Sequence, residues 1–100
     1  MSAIDWRDVF GQKFSPEEAR EASDFGEVLF NHAIEPDDAF EMFNDEMLTV
    51  GRRLFLAAKA STDKVVDVLF NDDDARLRAV VQERLRQERE GEKGAIVLAR

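Results

Sequence analysis

At 100 residues the chain has room for one modest hydrophobic core and no second one, so a single domain over 1–100 is expected. It has no cysteine, which excludes a disulfide, a thiolate zinc site and a thiol nucleophile and leaves burial to hold the chain together. There is no basic-then-apolar leader and no apolar run near the roughly 18–20 residues needed to cross a bilayer, so a soluble, cytoplasmic protein without membrane partners is expected. The net charge of −8 is unevenly spread: residues 1–50 carry thirteen Asp and Glu against three Lys and Arg, whereas residues 51–100 carry nine against eleven. A field of that sign in the first half repels phosphate backbones, and direct nucleic-acid binding there is disfavoured. Arginine outnumbers lysine ten to four, as in a GC-rich bacterial or phage coding background.

Apolar residues recur at helical spacing almost throughout, and the chain reads as all-α. Ser2 and Asp5 resemble a capping box opening a short helix through Phe10, with Trp6, Val9 and Phe10 on one side and Gly11 as its stop. Ser15-Pro16-Glu17-Glu18 is a stronger start: a serine cap, a proline at the first helical position and two acids at the positive end of the helix dipole. From it Ala19, Ala22, Phe25, Leu29 and Ala33 form an apolar stripe, predicting a second helix to about His32. Pro36-Asp37-Asp38 repeats that grammar and opens a long, central third helix toward Ala60, with Phe40, Phe43, Met47, Val50, Leu54 and Ala58 on one face. Ser61-Thr62-Asp63 caps a fourth helix carrying Val65, Val66, Leu69 and Phe70. Asn71 to Asp74 caps a fifth with a narrow seam of Leu77, Val81 and Leu85, which Gly91 is expected to end. Residues 92–100 then form a short apolar tail, either a last core segment or a docking segment for a partner's sheet or groove. The expected architecture is a compact bundle of about five helices.

The spacing of Glu17, Glu18 and Glu21, followed by Glu35 and Asp38, is similar to the carboxylate signature of the MazG-like all-α NTP pyrophosphatases. That resemblance implies magnesium-dependent nucleotide hydrolysis by acids presented from two helices. Such a site needs Glu35 and Asp38 three apart within one helix, and Pro36 pushes Glu35 out of the α region, leaving these acids the ordinary work of helix starts. The run Asn71-Asp72-Asp73-Asp74 lacks the mid-loop glycine and terminal glutamate of a calcium loop. His32 is the lone histidine, better suited to a helix end than to a metal. No nucleophile elbow or phosphate-cradling glycine loop is present. The expectation is a protein that is not an enzyme and uses no metal or cofactor.

What remains is surface. Arg78, Gln82, Arg86 and Arg89 share one face of the fifth helix, a basic stripe if free, or a solvated face paired with Glu83, Glu88 and Glu90. Trp6 is either core cover or an interface anchor, and Ile96, Val97 and Leu98 are the apolar heart of the tail. The acids free of capping work and off the apolar stripes are Glu21, Asp24, Glu27, Glu41 and Asp45. Together these features favour a non-catalytic interaction module, an inhibitor or adaptor of bacterial or phage type. Its acidic half would dock on a larger protein's basic surface, one that elsewhere holds nucleic acid. The alternative is a self-associating helical regulator, a homodimer through Trp6, the tail or the fifth helix. A third reading, the pyrophosphatase, rests on the acidic spacing alone.

Overall fold

The computed structural model describes the backbone of residues 5–98 and the side chains of residues 5–91. The described residues are mostly helical, with five helices, although they are not the five that periodicity predicts. In place of the first helix the chain forms an antiparallel hairpin of β1 (Asp8–Val9) and β2 (Gln12–Lys13), with Asp8 opposite Lys13 and Val9 opposite Gln12. The two connecting residues, Phe10 (φ 49°) and Gly11 (φ 78°), both lie in the left-handed region, as in the turn whose twist matches that of paired strands. Phe10 adopts it at a steric cost of about 1–2 kcal/mol, offset by packing against the core. Phe-Gly lacks the Asn-Gly or Asp-Gly signature of such turns, so Gly11 reads as a helix stop in the sequence.

α1 (Pro16–Asn31) begins with a complete capping box: the Ser15 hydroxyl accepts from the Glu18 amide at 3.1 Å, and the Glu18 carboxylate accepts from the Ser15 amide at 2.8 Å. Ala19, Ala22, Phe25 and Leu29 are its buried side. It ends in a Schellman motif, in which the Ile34 amide bonds to the Leu29 carbonyl at 2.8 Å and the Ala33 amide to the Phe30 carbonyl at 3.1 Å. Ala33 therefore sits at φ 54°, the place where glycine is usual, and is exposed instead of extending the apolar stripe.

The long third helix is divided. α2 (Pro36–Met42) stops at Phe43, whose backbone is extended, and α3 (Val50–Lys59) starts only after Thr49. Two short polar side chains cause the break. Asn44 accepts from the Met47 amide at 2.9 Å, a local bond that competes with helix continuation, and the Thr49 hydroxyl caps the Arg52 amide. Of the six residues expected on one buried face, only Leu54 is buried, and Met47 is exposed. α4 (Thr62–Leu69) is capped by Ser61, as its sequence dictates. α5 (Ala75–Leu98) passes through Gly91, a correction to the expected stop: one interior glycine costs about 1 kcal/mol relative to alanine, which a long helix tolerates. Ile96, Val97 and Leu98 continue the backbone of that helix, and their side chains lie outside the described residues.

α3 is short but central, lying on α1 and also touching α2, α4 and α5, while α4 packs on α5 and α5 meets β2. Leu54, Leu56 and Ala57 of α3 join Leu29, Leu69, Leu77, Val80 and Val81 in the core, each large side chain stabilising by about 2 kcal/mol on burial. Two glycines set the α1–α3 distance. A methyl group on Gly51 would stand 2.5 Å from the Glu18 carbonyl oxygen and 2.5 Å from the Glu21 Cβ, both parts of α1 that cannot yield without moving the helix. The three atoms nearest a methyl on Gly26 would all belong to the ring of Phe55, the closest at 2.6 Å.

Gly51→Ala is accordingly expected to destabilise the fold by about 1–3 kcal/mol in urea denaturation. Gly26→Ala should cost less, because a ring can turn where a backbone cannot. Ala33→Gly is expected to raise stability by about 0.5–1 kcal/mol, the left-handed strain it relieves exceeding the extra chain entropy of glycine.

Candidate interaction surface

The cationic side chains of the second half are largely used inside the fold. Arg76, at the start of α5, grips Glu18 of α1 with two parallel bonds of 2.9 Å, holds Asp74 at 2.9 Å, donates to the Lys13 carbonyl at 3.1 Å and stacks 4.7 Å above the Phe14 ring. Its hydrogen bonds hold the Glu18 and Asp74 carboxyls below their ordinary values, and those carboxylates raise the Arg76 pKa in return. Arg53 of α3 binds Asp72 at 2.7 Å and Asp73 at 2.9 Å, tying α3 to the α4–α5 turn. Arg84 donates to the Ala57 carbonyl at 3.0 Å, closing the end of α3. The run Asn71–Asp74 is thus mostly a receptor for arginines, with Asp74 also accepting from the Arg76 amide at 2.8 Å as a helix cap.

The arginine stripe of α5 is similarly engaged. Arg78 donates to the Asp72 carbonyl at 2.6 Å, while Arg86 is paired with Glu83 and, at 2.6 Å, with Glu90. Arg89 is exposed. Gln82, between Arg78 and Arg86 on the same face, is also exposed.

The first half is the opposite case. Of its thirteen carboxylates, three have an ion-pair partner among the described residues, namely Asp5, Glu18 and Glu41, which leaves ten without one. Glu21 and Asp24 border one small cavity, of about 150 Å³, with Phe25, Val28, Phe43 and Arg52. The Arg52 guanidinium sits 5.4 Å from the Phe25 ring and donates to the Met47 carbonyl at 2.8 Å. Glu21 is less free than its position suggests, because the Thr49 hydroxyl that caps α3 donates to its carboxylate. Glu27 lies apart, beside Trp6. Glu41 is on α2, 3.3 Å from Lys64, and Asp45 stands in the α2–α3 connection beside Arg53 and Asp72. The five acids chosen from the sequence are therefore distributed over several sides, with Glu21 and Asp24 the pair brought together.

Of the remaining acids of the pyrophosphatase-like spacing, Glu17 and Asp38 lie in the first turns of α1 and α2. Glu35 stands before α2 in extended backbone and makes no side-chain cap bond. Asp37 instead accepts from the Ser61 amide at 2.6 Å, a bond that joins the start of α2 to the start of α4 and lowers the Asp37 pKa. Among the described residues, no group of three or more His, Asp or Glu side chains is placed to hold a metal ion. His32 is the C-cap of α1, its Nδ1 2.9 Å from the Val28 carbonyl oxygen.

One surface residue escapes the sequence reading. Phe30, on α1, is 84% exposed, the most exposed of the large apolar side chains among the described residues. It divides a shallow furrow into two depressions. Trp6, Ser23, Gly26, Glu27, Asn31 and Phe55 line the first, of about 590 Å³, and Leu29, Ala33, Ile34, Glu35 and Pro36 line the second, of about 460 Å³, which shares Gly26 and Phe55. Trp6 packs on Phe55, ring centroids 5.7 Å apart, so it is both core cover and groove wall. The signal was present: Phe30 is an aromatic residue off the stripe of Ala19, Ala22, Phe25 and Leu29. Comparison with protein-family models, with curated proteins and with solved structures finds no match.

The Arg76 cluster has a pH signature. Glu18 and Asp74 titrate lower when folded than their ordinary values of 4.5 and 3.8, so their contribution is complete above those values and is lost as pH falls through the lowered folded ones. Arg76→Gln is expected to cost about 1–2 kcal/mol at pH 7, less than a fully buried charged bond because the site is partly solvated. Urea denaturation at pH 7 and at pH 3 should show the gap between the two proteins narrowing in acid.

Proposed function

We propose that the chain is a non-catalytic protein-interaction module, an inhibitor or adaptor of bacterial or phage type, whose acidic N-terminal half docks on a basic surface of a larger protein. The observation that carries this is the separation of charge by use: six of the seven described arginines of the second half, all but Arg89, hydrogen-bond within the fold, whereas ten carboxylates of the first half have no ion-pair partner among the described residues. An isolated exposed carboxylate contributes little to a fold, and at close spacing it costs some repulsion; the same groups facing a cationic partner speed encounter and exclude wrong partners. A basic surface of the kind that holds phosphates offers that complement. The internal pairing of Arg78 and Arg86 weighs against a DNA-binding stripe on α5.

An affinity pull-down from a native lysate, read by mass spectrometry, supplies the partner for a quantitative test. Replacing Glu21, Asp24, Glu27, Glu41 and Asp45 together by lysine should weaken that partner's binding by more than about a hundredfold, and binding by the unaltered chain should fall steeply with salt. Circular dichroism checks that the variant folds. Undiminished affinity in a folded variant refutes the proposal.

A further inference from the structure

We propose that the furrow divided by Phe30 receives the apolar face of a basic amphipathic helix from the protein partner. This rests on the acidic-docking function above and assigns where the partner's apolar residues go. A phenyl ring left 84% exposed beside a packed core, with a depression on each side, gives a partner both a knob to enclose and two sockets to fill. Phe55 forms the floor, lying against Gly26 and packing edge-on to Phe25 with centroids 6.0 Å apart.

Charge selects the occupant. Among the described residues no Lys or Arg lines either depression, and a glutamate stands in each, Glu27 in the first and Glu35 in the second. Neither has an ion-pair partner among the described residues. A purely apolar segment would desolvate those carboxylates without compensation, whereas lysine or arginine flanking an apolar stripe would satisfy them. Among the described residues no strand residue lines the furrow, which offers no sheet edge there to extend, and side chains three and four apart on a helix suit two adjacent sockets. A second copy of this chain fits less well: a two-fold contact centred on Phe30 would gather the Glu27 and Glu35 carboxylates of both copies into one rim.

Trp6, the single tryptophan, lines the furrow and reports its occupancy by fluorescence. The probe is a synthetic Leu/Lys amphipathic peptide of about 18 residues, long enough to hold a helix, with a Leu/Glu peptide of the same pattern as control. The Leu/Lys peptide should change Trp6 emission saturably and shift the amide resonances of Gly26, Phe30 and Ala33, while the Leu/Glu peptide should do neither. Phe30→Ser, at a side chain too exposed to support the fold, should lower the affinity at least tenfold with Tm unchanged. Binding unaffected by Phe30→Ser but lost on Glu21→Lys with Asp24→Lys would overturn the furrow assignment and leave acidic docking intact; no binding of the Leu/Lys peptide at all would count against both. Two further results would also overturn it. One is a dimer of the peptide-free protein in sedimentation that Phe30→Ser dissociates, since a second copy would then be the occupant. The other is a set of nuclear Overhauser contacts from residues 1–4 to the Phe30 ring, since the chain would then fill the furrow itself.

Discussion

Close approach of α1 and α3 is the constraint on which the rest of this structure depends. Gly51 lets α3 lie against the backbone of α1 at Glu18 and Glu21, and Gly26 gives the Phe55 ring its seat in return. With that distance set, a helix of 10 residues can touch four others and place Leu54, Leu56 and Ala57 out of water. The same approach shapes the outside. Phe55 cannot sink further because Gly26 and Phe25 stop it, so it becomes the floor under Trp6 and Phe30. Core packing and the apolar furrow thus share one geometric cause.

Around that pair the arginines act as ties of known length and direction. Arg76 joins α5 to α1 and to the hairpin, Arg53 joins α3 to the α4–α5 turn, and Arg84 closes the end of α3. A guanidinium offers several fixed donors, so one side chain can satisfy carboxylates and carbonyls from different elements at once. These ties turn the near-neutral balance of the second half into internal bonds. The acidic excess of the first half has no such outlet and remains at the surface.

Local grammar made much of this legible. The Ser15 capping box, Pro36 at a helix start, Ser61 as a cap and the stripe from Ala19 to Leu29 depend on residues within one or two turns, which the sequence places side by side. The failures also have local causes, but ones whose outcome depends on distant contacts. Phe10 takes a left-handed backbone because its ring gains packing, which no dipeptide statistic contains. Asn44 and Thr49 are acceptable inside a helix until their side chains find better bonds; Thr49 caps α3 and reaches Glu21, 28 positions away. Phe30 was an apolar residue off the stripe, and its meaning required knowing that nothing among the described residues packs over it.

The sequence by itself determined a helical chain without thiol chemistry, with capped starts and an acidic first half, since composition and spacing over a few residues suffice for those properties. Tertiary structure alone decided that the expected third helix is two, that the first is a hairpin, which cations are consumed, and that an aromatic ring stands between two hollows. These outcomes turn on competition between a local bond and one made across the fold, and the winner depends on distances that exist only after α1 and α3 have come together.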